Sequence, residues 1–211
     1  MFRISKPKRP FHPRLRNPSK SSSAEKPREE IVFGLGESSL GHVLIATSAR
    51  GVVTASIGRD PDRLIEELEE RFPKARLVQE DRDCARPLAL VIEAIEKPGR
   101  PLELPLDLRG TAFQVLVWNA VRKVTTGQTS TYSEIAAAIG KPKAIRAVGT
   151  ACANSSMALL VPCHRILHKD GSLSQGCFWG DDGQRILLDR EAAAAHAPSP
   201  AKSRAKKRRA A

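Results

Sequence analysis

Apolar residues in the first third of the chain recur with the short period of strands. Ile31 to Leu35, His42 to Thr47 and Val52 to Ile57 are runs rich in β-branched and other apolar side chains, and Ala49-Arg50-Gly51 supplies a turn between the last two. The period then lengthens. Leu64, Ile65, Leu68 and Phe72 fall on one face of a helix that Asp60 caps, Pro61 opens and Pro73 stops. A strand near Arg76 to Val78 and a helix near Leu88 to Ile95 complete a mixed α/β unit, predicted over residues 30–104.

Pro98-Gly99 and the Pro/Leu-rich run to Leu108 read as a connector, after which helices with explicit caps follow in a second unit, residues 105–195. Thr111 with Gln114 forms a capping-box pattern ahead of Phe113, Leu116, Val117, Ala120, Val121 and Val124. Thr131 with Glu134 repeats it ahead of Ile135 and Ile139, and Gly140 ends that helix. Pro142 is expected to start a third helix whose Ile145, Val148 and Cys152 face a core. Two short helices joined by a tight Gly-containing turn are the pattern of a helix-turn-helix. The other side of the third helix carries Ala144, Ala147, Gly149 and Ala151, with Lys143 and Arg146 projecting charge. Such a face suits tight helix packing, or close approach to a DNA groove with Arg146 reaching between bases. Leu159-Leu160-Val161 reads as a short buried strand.

Charge sharpens the second alternative. The formal net charge of +12 is concentrated at the ends: residues 1–28 hold nine Lys/Arg against Glu25, and the last sixteen residues hold six and no acid. Both ends, residues 1–29 and 196–211, are rich in Pro, Ser, Lys and Ala, and are expected to be disordered basic tails. Inside the body, residues 113–165 carry six Lys/Arg and only Glu134, so a second basic surface is expected there. No apolar run is long enough for a membrane span or a signal-peptide core, which predicts a soluble intracellular protein with no membrane partner. The four cysteines show no paired spacing, so neither a disulfide framework nor a metal site is expected.

The candidate chemistry centres on Cys163. Pro162 makes a rigid approach to it, and His164 and Arg165 offer a base and a positive charge. A free thiol, with a pKa of about 8.5, needs such neighbours to act as a nucleophile near neutrality. Adjacent residues of an extended chain point to opposite sides, so His164 serves Cys163 only if the chain turns there or a water intervenes.

Pro162-Cys163-His164-Arg165-Ile166 resembles the active-site motif of the O6-alkylguanine-DNA alkyltransferases, the methylated-DNA–protein-cysteine methyltransferases. Leu108 to Gln114, Val117-Trp118, Thr131-Tyr132, Ile139-Gly140, Arg146 to Gly149, and Leu187-Leu188 before Glu191 match in the same order, over roughly residues 30–195. The likeness runs to the C-terminal half of the bacterial adaptive-response regulator.

The resemblance implies an α+β protein. It would have an N-terminal ribonuclease-H-like α/β domain and a helical, winged helix-turn-helix-like domain that enters the minor groove. It implies irreversible, single-turnover transfer of an alkyl group from O6-alkylguanine, and from O4-alkylthymine, to Cys163 after base flipping. His164, a water and Glu191 would activate the thiol, and Tyr132 would sit at the target base. Arg146, Lys143, Ala147, Gly149, Arg165 and Thr131 would contact DNA, and Pro162, Ser155, Gly176, Cys177 and Phe178 would line the substrate pocket. The implied partner is double-stranded DNA containing alkylated guanine, met by a cytoplasmic, nucleoid-associated monomer, or a nuclear one in a eukaryote, without cofactor or metal.

Three positions depart from the family pattern: Cys177 stands where a Tyr is usual, in a loop one residue longer, Gln184 replaces a Lys, and Ser155 replaces an Asn. Two other readings of the residues stay open: a non-catalytic protein that binds alkylated DNA, and a helix-turn-helix regulator.

Overall fold

The computed structural model describes residues 29–173 and 180–196; the expected basic tails and the segment Ser174 to Trp179 lie outside them. Strands β1 (Glu30–Ser38), β2 (Gly41–Ser48) and β3 (Gly51–Gly58) form an antiparallel meander at the places the apolar runs predict. Helix α1 (Pro61–Arg71) follows, its N-cap Asp60 accepting from the Asp62 amide at 3.0 Å. It returns the chain to β4 (Arg76–Gln79), parallel to β1 at the opposite edge, in the order β3-β2-β1-β4.

Both faces of the sheet are covered, and β2 shows how. Leu44 and Ala46 pack with Leu64 and Leu68 of α1, while Val43 and Ile45 face α2 (Asp81–Glu96), because successive strand residues point to opposite sides. That second core continues without a break into the helices that follow, taking in Val117, Val121, Ile135, Val148, Leu160, Ile166 and Leu187. Backbone bridges join the halves as well, Val52 with Leu106 and Ala55 with Met157.

The later elements are α3 (Ala112–Val121), β5 (Ser130–Thr131), α4 (Tyr132–Ala138), α5 (Ile145–Ala153), β6 (Ile166–Leu167) and α6 (Gly180–His196). Both capping boxes form, at Thr111/Gln114 and Thr131/Glu134. Gly140, at φ +71°, takes the left-handed conformation that ends α4.

Three local expectations are corrected. Helix α2 runs from Asp81 straight through Pro87. An interior proline costs about 3 kcal/mol, whereas Cys84, Leu88, Val91, Ile92 and Ile95 are all buried along it, each large side chain contributing about 1.5–3 kcal/mol. Helix α5 starts at Ile145 rather than Pro142, since Lys141 to Ala144 close a tight turn through Ala144 N and Lys141 O at 2.8 Å. Its core face is then Val148, Ala151 and Cys152, so Ile145, in the first turn, is 44% exposed, and Ala151 is buried instead of lying on the small-residue surface. Leu159 to Val161 is a buried turn, not a strand: Ala55 holds the chain at Ser156 and Ala158, and Leu159 reverses it at φ +63°.

Candidate functional site

A two-stranded parallel ribbon assembles the site. β5 pairs with β6 in the register Ser130 with Ile166 and Thr131 with Leu167, which lays the start of α4 beside the segment leaving Cys163. The turn 158–161 delivers the chain to a 3-10 turn, Cys163–Arg165, closed at its entry by Cys163 N donating to Val161 O at 2.7 Å. Because the chain turns here, Cys163 and His164 are not on opposite sides of an extended strand. Both are buried.

His164 Nε2 lies 2.9 Å from Glu191 Oε1 on α6, and its ring is fully buried. Arg165 donates through Nε to Glu191 Oε2 and through Nη2 to Oε1, each at 2.9 Å, and its remaining bonds go to Val124 O and Thr126 Oγ1. Burial alone would raise the Glu191 pKa, but the hydrogen bonds from His164 and Arg165 outweigh it and hold the carboxyl at about 2. Burial pushes the His164 pKa below its ordinary value, against the pull of Glu191. A charged carboxylate only accepts, so the neutral ring carries its hydrogen on Nε2 and a lone pair on Nδ1. The arrangement is a base of fixed tautomer, one residue from a buried thiol.

The other expected residues divide between this interior and the surface. Tyr132 is buried at the start of α4, its ring centroid 5.4 Å from that of His168 just beyond β6. Thr131 caps α4. Lys143, Arg146 and Ala147 are exposed, while Gly149 is half-buried behind Tyr132, where an added Cβ would come 3.9 Å from the ring. Pro162 is buried, and Ser155, also buried, accepts from Met157 N at 3.4 Å and so braces the turn before Cys163. Arg165, expected at the DNA surface, is turned inward with its guanidinium spent on Glu191 and the loop after α3; a buried carboxylate demands such a partner. Gly176, Cys177 and Phe178 lie outside the described residues.

Three residues here had roles that escaped the sequence reading. Gln184, seen only as a departure, is fully buried and donates from Nε2 to His164 O at 2.9 Å, fixing the backbone of the 3-10 turn. Thr126 and Val124 complete the Arg165 clamp from about forty residues away, and no local signal marks them. A cavity of about 450 Å³ reaches Arg165, Glu191 and Pro162 from the side of the connector, with Arg100, Glu103 and Arg122 in its wall.

A family model described as "6-O-methylguanine DNA methyltransferase, DNA binding domain" matches residues 112–193. The bifunctional transcriptional activator/DNA repair enzyme Ada of Escherichia coli K12 is 44% identical over 162 residues, 77% of this chain. The match takes in 46% of that relative, so the chain spans about half its length. The inducible methylated-DNA–protein-cysteine methyltransferase of Bacillus subtilis is 39% identical over 70% of this chain and 82% of its own. That of Methanosarcina acetivorans is 34% identical over 76% and 98%. The structure of Mycobacterium tuberculosis OGT in complex with DNA superposes with a TM-score of 0.65 at 27% identity, covering 77% of this chain and 94% of that one.

Proposed function

The chain belongs to the methylated-DNA–protein-cysteine methyltransferase family, and from that premise we propose that it repairs alkylated DNA by taking the alkyl group from guanine O6 onto Cys163, once per molecule. The observation that carries this reading is the buried His164–Glu191–Arg165 arrangement beside Cys163. His164, through Nδ1 and an intervening water, takes the thiol proton; the thiolate attacks the alkyl carbon in line, forming S–C as C–O6 breaks. Tyr132 donates to the departing guanine and is reprotonated through the site, so the thiol proton ends on the base. The thioether is not reopened by water, which makes the transfer irreversible without cofactor or metal.

Reaching the base requires extrusion, at a cost of a few kcal/mol. The exposed Arg146 and Ala147 on α5, with Gly149 behind them and the exposed Lys143 in the turn before it, fit a helix that enters the minor groove with Arg146 as wedge. We read α4 and α5 as the helix-turn-helix of a winged domain over 105–195, and the β3-β2-β1-β4 sheet, residues 30–104, as the start of a ribonuclease-H-like unit. Among the described residues no helix is long and apolar enough to cross a membrane; the proposal places the chain in the cytoplasm, on DNA, as a monomer.

The test is intact-protein mass after mixing with duplex DNA containing O6-methylguanine. A stoichiometric gain of one methylene on Cys163 is expected, absent from Cys163→Ala, which still binds DNA because α5 is untouched. Binding without any mass gain in the parent chain would instead make it a lesion-binding protein.

A further inference from the structure

The sheet half holds none of the proposed reacting groups, yet it grips α6, the helix that carries Glu191. Arg190 stands next to Glu191 on α6 and reaches the other way. Its Nη1 donates to Ile95 O at 2.7 Å and its Nη2 to Ser39 Oγ at 2.9 Å, with Glu96 Oε2 at 3.7 Å. Glu96 Oε1 in turn accepts from Ser39 N at 2.7 Å. Ile95 lies in the last turn of α2, where carbonyls have no helical donor and a cation is favoured, so the guanidinium caps that helix from outside it. Neighbouring residues of a helix are about 100° apart around its axis. α6 is therefore pinned on one side to the sheet half through Arg190 and on another to the 3-10 turn through Glu191.

We propose that Arg190 is a positioning residue for the alkyl transfer: it holds α6 where Glu191 Oε1 meets His164 Nε2. This rests on the transfer assigned above to Cys163. The charged groups facing the pair are Arg165 from the 3-10 turn, Arg100 and Glu103 from the connector and Arg122 after α3; Arg100 also reaches α2, 3.5 Å from Glu93 Oε1, but from the connector, whereas Arg190 ties α6 itself to α2. With Arg190 gone, α6 loses its anchor, Glu191 orients the imidazole less well, and the base takes the thiol proton less readily. A misplacement of about 1 Å can cost about 100-fold in rate; loss of one of two anchors is expected to cost about tenfold.

The experiment measures single-turnover transfer from O6-methylguanine duplex against pH for the full chain and for Arg190→Met, Arg190→Lys and Ser39→Ala. The parent is measured first, so a parent that transfers nothing sinks the functional reading and not this one alone. Expected is a roughly tenfold slower Arg190→Met at neutral pH, with the rate profile displaced upward by about one pH unit and recovery toward the parent in alkali. Arg190→Lys should recover part of the shift and Ser39→Ala show a smaller one in the same direction, and these two carry the test if the Met variant does not fold. Affinity for undamaged duplex should stay within about twofold, as the basic surface of α5 is untouched. Variants that melt earlier but keep the parent's pH profile would overturn the proposal and leave Arg190 a contact of the fold only.

Discussion

Two arginine–carboxylate clusters of this molecule use the same pairing to different ends. At the edge of the sheet, Arg109 donates to Glu29 at 2.8 Å and to Asp107 at 3.0 Å, and Asp107 also takes Ser48 Oγ and Arg50 at 2.8 Å. This cluster ties the start of β1 to the connector; Asp107 is buried, but Glu29 is 46% exposed, so one side of the cluster is open to water. At the acceptor site, Arg165 makes the same kind of grip on Glu191, but the pair is buried and the carboxylate also holds an imidazole. In water the charges of such a pair are exchangeable with solvent and the pairing is weak; in the interior they cannot be parted, and the carboxylate becomes a fixed reference for the ring beside it. The sheet-edge cluster ties two segments together, whereas the buried Glu191 also fixes the orientation of an imidazole.

The sharpest way to break this comparison is Glu191→Gln. It removes the buried charge and leaves Arg165 without its counter-ion, so stability should fall by about 3–5 kcal/mol and transfer should slow by about 100-fold, the lower end of general-base effects. Denaturant titration and single-turnover kinetics read the two quantities; a variant as stable and as fast as the parent would show the two clusters to be alike.

Acid should separate them next. The Glu191 pKa falls from 4.5 to about 2 on folding, so its contribution is fully present above about pH 4.5 and is lost as pH falls toward 2. The lowered pKa of His164 acts in the same sense: below 6.5 the unfolded ring takes a proton that the folded one refuses, and stability falls with pH. Urea midpoints should therefore drop through both windows, and Glu191→Gln should lack the lower step. An acid slope below pH 4.5 unchanged by that substitution would remove Glu191 as its source.

The smallest effect is expected at the sheet-edge cluster. Arg109→Met should cost about 1 kcal/mol, because the buried Asp107 keeps Arg50 and Ser48 as partners and Met packs near Phe72, whose ring lies 5.5 Å from the guanidinium. Transfer should be unchanged in rate and pH profile. A slowed transfer would mean that this edge, too, acts on the acceptor site.

What the chain determined by itself is what short-range chemistry can carry. The three strands, α1 with Asp60 and Pro61, and both capping boxes follow from residues within a few positions of one another. Cys163 stood out with His164 for the same reason, although its family rested on resemblance across several motifs. What tertiary structure decided depends on partners far along the chain: α2 runs through Pro87 because its buried face outweighs one lost bond, and Leu159 turns because Ala55 holds the preceding segment. Arg165 faces inward because Glu191, twenty-six residues on, is buried and charged. Ile145 is exposed because the helix begins three residues later than Pro142 suggests. Local propensity fixes φ and ψ over a few residues, while the direction of a charged side chain is set by which distant group would otherwise be left unpaired in the core.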